Sequence, residues 1–168
     1  MQPHEANLSR PDFGGPGLQT FGTVTLPERL VVSGYRCWLT GYATGDIACW
    51  EVAWNLYART LGPEHAGPAV TALATWVRTL RRHTARPLDR LPFGCSRLCP
   101  DETTGLRLIA ACQHRSRCLA RAAAFELTSQ QSSCLIDDVV GVADGFADAL
   151  TKCGQQVQRP AEMAAHIT

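Results

Sequence analysis

Apolar positions recur at helical spacing through most of the chain, and prolines and glycines cut that pattern into segments. Pro27, preceded by Leu26, suits a first helical position. Val31, Tyr35, Trp38 and Tyr42 follow at helical spacing until glycines at 41 and 45 interrupt. Asp46 is a good N-cap for a second helix, whose stripe is Ile47, Trp50, Trp54, Tyr57 and Leu61 and whose stop is Leu61-Gly62-Pro63. A third helix is expected from near Pro68, carrying Val70, Leu73, Val77 and Leu80. Pro87 and Pro92 break the pattern, so residues 86–99 read as a loop.

Pro100, with Asp101 and Glu102 in the first turn, opens a fourth helix reaching about Ala111. A turn over 114–117 leads into an Ala-rich fifth helix ending near Leu127. Ser132 or Ser133 caps a sixth, with the stripe Leu135, Val139, Val142, Phe146, Ala149 and Cys153. A strand is suggested only over 21–26. Short loops between consecutive helices favour antiparallel neighbours. The expected fold is all-α, a single helical bundle of five or six helices with a disordered N-terminal arm. Residues 1–26, holding Pro3, Pro11, Pro16 and a Gly-Gly-Pro-Gly run, read as a flexible N-terminal arm. Residues 27–153 form the bundle domain, and 154–168 read as a flexible C-terminal tail.

At 168 residues the chain makes one domain, large enough to bury a core without disulfides or metals. A 45% hydrophobic and 18% charged composition is that of a globular protein. No apolar run approaches a membrane span, and no secretory signal pattern opens the chain, so a cytoplasmic location and reduced thiols are expected. The formal net charge of +1 hides an asymmetry. From Arg78 to Arg121 there are ten arginines against three acids, a net of +7. From Glu126 to Asp148 there are five acids and no base.

Three features could carry chemistry. The first is the aromatic stripe: Trp50, Trp54 and Tyr57, with Glu51 as a convergent polar group, could wall a ligand pocket or anchor a partner. At this spacing the aromatics also suit the core between two helices. A homodimer seam is the natural partner surface, and protein is the expected partner. The second is a run of eight cysteines that includes Cys95, Cys99, Cys112 and Cys118, with His114 between the last two. Zinc takes four thiolate or imidazole ligands, usually as two close pairs. Cys95 with Cys99, and Cys112 or His114 with Cys118, offer such pairs, although the spacings are looser than those of common zinc motifs. Plain buried thiols, or a redox pair at Cys95 and Cys99, stand beside that reading. No compact iron–sulfur spacing occurs.

The third feature is the basic middle. Arg78, Arg81 and Arg82 could track phosphates, with Arg117 and Arg121 reaching bases from a helix-turn-helix. A solvated Arg face answered by the acidic sixth helix explains the same residues. Phosphate-loop, nucleotide-binding, nucleophile-elbow and zinc-protease motifs are all absent, as are the paired Glu-x-x-His segments of a di-iron bundle. No catalytic residue is therefore nominated. The sequence points to a non-enzymatic helical binding or regulatory protein, with a structural zinc in the cysteine cluster as its candidate cofactor. The alternative is an enzyme, either thiol-dependent on Cys99, activated by a helix N-terminus and Arg97, or built on a small-ligand pocket at the Trp50–Trp54 face. Nucleic-acid binding is the second.

Overall fold

A computed structural model describes residues 19–20 and 24–158. The architecture is an all-α bundle, with α1 over Leu26–Thr44, α2 over Ala48–Leu61, α3 over Pro63–His83, α4 over Pro100–Gln113, α5 over Arg117–Thr128 and α6 over Ser133–Lys152. Two short strands, β1 (Gln19–Thr20) and β2 (Arg97–Leu98), pair antiparallel, Gln19 opposite Leu98. The strand expected over 21–26 is corrected at its end. Leu26 opens α1, because Pro27 starts a helix and the Glu28 carboxylate accepts the Thr25 N–H at 2.7 Å. Residues 21–23, and most of the expected arm, lie outside the described residues.

α3 begins at Pro63 rather than near Pro68. Gly62, at φ 80°, ends α2 and immediately serves as the N-cap of α3. Pro68 lies inside α3, near enough to its start that only an early intrahelical bond is lost. The N-cap of α2 is Ile47 rather than Asp46, although the Asp46 Oδ1 accepts the Ala48 N–H at 2.9 Å just ahead of the helix. The Ser132 cap and the stop of α6 at Lys152 agree with the sequence pattern to within a residue.

α3 packs most extensively on α6, α4 on α5 and α6, and α1 on α2. Trp76 of α3 sits at the centre of the core, fully buried. It stacks on Phe146 of α6 with ring centroids 5.5 Å apart and meets Tyr35 of α1 at 6.0 Å. At the C-terminal end, Gln113 reaches over to accept the Val157 N–H at 2.8 Å and to donate to the Gln155 carbonyl at 2.8 Å. Val157 is buried, so residues 155–158 of the expected tail lie along the bundle.

Close approach of α1 to its neighbours depends on glycine. A Cβ on Gly34 would come within 2.6 Å of Leu73 Cδ2 and 2.8 Å of the Tyr57 hydroxyl oxygen, both on fully buried side chains. Gly141 of α6 faces open space. Opposite outcomes follow from one chemical change. Gly34→Ala lowers stability by about 1–3 kcal/mol through overpacking, whereas Gly141→Ala raises it by up to about 1 kcal/mol through helix propensity. Urea melts of the two variants check the pair.

Candidate functional site

The five candidate metal ligands occupy separate places. Cys99 is the buried N-cap of α4 and Cys112 is buried near that helix's other end. A helix of 14 residues is about 20 Å long, whereas ligands of one zinc ion all lie within about 2.3 Å of it. Cys95 is half-buried in the loop before β2, His114 is exposed at the end of α4, and Cys118 is exposed in the first turn of α5. Among the described residues no group of three or more His, Cys, Asp or Glu side chains could hold a metal. The expected zinc set is therefore not assembled.

The thiol-enzyme reading needs an accessible, acidic Cys99, and burial opposes it. Cys99 is only 7% exposed, and burial pushes its thiol up to about 11. The N–H groups at the start of α4 still favour the thiolate, but burial outweighs them, so the expected activation is corrected. Burial, with Cys49 nearby, raises Cys37 to about 11, and burial raises Cys112 beside Asp144 as well. Cys118 and Cys134 are exposed.

Two consequences can be measured. Alkylation at neutral pH, followed by mass spectrometry, labels Cys118 and Cys134 well before Cys37, Cys99 and Cys112. A buried thiol keeps its proton in the folded chain while the unfolded chain gives it up near pH 9. The folded state then binds more protons, and stability falls as pH rises from about 9 towards 11. Thermal melts at pH 8 and pH 10 test this, with the lower melting temperature expected at pH 10.

The basic band divides. Arg117 and Arg121 both pair with Asp137 across the α5–α6 contact, Arg117 at 3.3 Å, and Arg121 also donates to Ser133 at 2.7 Å. Arg115 pairs with Asp148 at 2.9 Å. The acidic sixth helix thus answers the arginines at this end, and the turn between α4 and α5 is closed by Arg115 itself at φ 55°. Arg78, Arg81 and Arg82 of α3 are exposed and have no carboxylate partner among the described residues.

α2 separates the aromatic candidates. Tyr57 is fully buried and donates to the Leu30 carbonyl at 3.0 Å, so it belongs to the core. Trp50 is half-buried, tilted against Trp38 at 6.0 Å and edge-on to Tyr42 at 5.7 Å, with its ring over Gly41. Trp54 is 42% exposed and Ile47 63% exposed, and Glu51 is exposed between them. Residues 47, 51, 54 and 58 are spaced i, i+4, i+7 and i+11, so they line one edge of the helix. The buried edge is instead Ala53, Tyr57 and Leu61. The sequence stripe merged these two edges.

One cluster escaped the sequence reading. Arg36, in the middle of α1, is 1% exposed and forms a two-pronged ion pair with buried Glu102 of α4, at 2.7 and 2.9 Å. The same guanidinium donates to the carbonyls of Cys95 at 2.8 Å, Pro92 at 3.3 Å and Arg97. Glu102 in turn accepts the N–H groups of Leu91 at 2.9 Å and Cys99 at 3.0 Å. Beside it, Asp101 accepts two bonds from Arg86, at 2.8 and 2.6 Å, and the Asp89 N–H at 2.8 Å. These bonds wire the segment between α3 and α4 to the bundle. An arginine among buried neighbours in an apolar helix was the available signal. No protein-family model matches the chain, and neither the curated proteins nor the solved structures yield a match.

Proposed function

We propose that this chain is a non-catalytic helical binding protein of the cytoplasm that pairs with a second copy of itself through the outer edge of α2. Trp54 carries the reading: a large aromatic in the middle of a well-formed helix, 42% exposed, is the residue type that most often anchors an interface. Its neighbours along the edge suit self-association. In an antiparallel pair of α2 helices centred between residues 52 and 53, Ile47 of each copy falls opposite Ala58 of the other, large against small. In the same register Trp54 falls opposite Glu51, whose methylene stem can lie under an indole. Isologous contact of this kind is the commonest form of self-association.

Support for a non-catalytic role comes from the convergent polar groups. Arg36, Glu102, Asp101 and Arg86 are bound to one another and to backbone, and Cys99 is buried with its thiol pushed up to about 11. Eight free thiols suit a reducing compartment, and no helix among the described residues is long and apolar enough to cross a membrane. The test is Trp54→Glu, which places a second carboxylate beside Glu51. Light scattering is expected to give a dimer for the parent chain and a monomer for the variant, with equal helicity by circular dichroism. A variant that keeps the dimer removes α2 as the seam.

A further inference from the structure

Arg81, Arg86 and Arg90 line an open-sided cleft of about 440 Å³ between the end of α1, the end of α3 and the segment that follows α3. That volume is within the range of small-ligand sites. Its lining also includes Leu39, Ala43 and Leu88, so the cleft offers both charged and apolar groups. We propose that this cleft binds a small phosphate monoester carrying an apolar group, a role separate from pairing through α2.

The three guanidiniums have different commitments. Arg86 is used up: both terminal nitrogens serve Asp101, and one also serves the Pro87 carbonyl at 3.0 Å. Arg90 gives only its Nε, to the Thr40 hydroxyl at 2.9 Å, which leaves its two terminal nitrogens for a ligand. Arg81 lies over the Tyr42 ring with 4.9 Å from guanidinium carbon to centroid, a contact that holds the group without using its N–H donors. Among the described residues neither Arg81 nor Arg90 has a carboxylate within ion-pair distance.

Charge around the cleft favours an anion. Exposed Arg78 and Arg82 lie within one helical turn of Arg81 and add to its field, while exposed Asp89 beside Arg86 subtracts from it. Two arginine forks lining one cleft, neither tied to a carboxylate, match a doubly charged phosphate better than a single carboxylate. The wall that carries Arg86 and Arg90 is already fixed. The Ala85 N–H donates to the Thr128 carbonyl at 2.9 Å, and Asp101 holds Asp89. Little ordering cost is then left for binding. A nucleic-acid backbone would use a longer line of cations along a surface; Arg78 and Arg82 continue it on α3, but Arg117 and Arg121, needed to reach bases, are paired with Asp137.

Phenyl phosphate is the probe, titrated into the full chain by calorimetry with inorganic phosphate and a single-stranded oligonucleotide alongside. The expected result is one saturable site per chain. It should weaken about tenfold or more in Arg81→Gln and in Arg90→Gln, each fork being a charge-assisted contact. Both side chains reach the surface, and circular dichroism confirms the fold of each variant. Arg107→Gln, away from the cleft, is expected to bind like the parent. Inorganic phosphate is expected to bind more weakly, because it leaves the apolar lining residues unused. The proposal is overturned by absence of saturable binding, by equal affinity for inorganic phosphate, by indifference to both substitutions, or by an oligonucleotide that binds more tightly and displaces the probe.

Discussion

Glu102→Ala lowers the unfolding free energy by about 3–5 kcal/mol, the usual effect of removing one partner from a buried ion pair. Arg36 would keep its charge with almost no water to solvate it, being 1% exposed. The N–H groups of Leu91 and Cys99 would lose their acceptor at the same time. With total stabilities of about 5–15 kcal/mol, a loss on this scale leaves a marginal fold. Replacing both partners, Arg36→Met with Glu102→Leu, is expected to recover part of the loss, since an apolar pair leaves no stranded charge. Recovery stays incomplete, because the carbonyls of Pro92, Cys95 and Arg97 still lose their donor. Urea midpoints at constant slope measure both variants. A single variant as stable as the parent would contradict the view that this pair holds the segment between α3 and α4.

Trp76→Ala is expected to cost about 3–5 kcal/mol, the range for deleting a large aromatic from a packed core. The ring is fully buried between Phe146 and Tyr35, so its removal opens a cavity where α1, α3 and α6 meet. Its indole nitrogen adds a distinguishing detail. Among the described residues no acceptor meets the buried Trp76 Nε1, so the indole carries a polar cost that a phenyl ring lacks. Trp76→Phe is therefore expected to be far milder than Trp76→Ala, the lost volume being partly offset by removal of an unpaired donor. Thermal melts of the two variants decide it. Equal losses would contradict it, because a phenyl ring refills most of the cavity that alanine leaves open.

Most of the bundle was legible in the sequence because its punctuation is strong. Pro27 and Pro100 open helices, glycines at 45 and 62 close them, and Ser132 stands at the N-cap position of the last. The start of α3 was not legible, since Gly62-Pro63 ends one helix and begins the next with no loop between. Pro68 then mimics a start that has already occurred. The aromatic stripe on α2 was read as one surface, yet four-residue and three-residue steps carry Tyr57 inward and Trp54 outward. Spacing cannot separate two edges this close on one cylinder.

The cysteines show a different gap. Sequence distance put Cys99 near Cys112, but a straight helix between them converts that nearness into separation. The pairing of Arg117 and Arg121 with the acidic sixth helix followed from charge pattern alone. The pairing of Arg36 with Glu102, 66 residues apart, did not, because it depends on which faces of α1 and α4 meet. The cleft near Arg81 was equally invisible, since three segments build it.

The central proposal, a binding protein paired through α2, is most directly tested by the mass of the chain in solution. Sedimentation equilibrium under reducing conditions, across the micromolar range, is predicted to give twice the 18.3 kDa of one chain. Acrylamide quenching on the same samples should show Trp54 shielded in the associated form. A mass of 18.3 kDa throughout that range, with Trp54 open to quencher, would contradict the account.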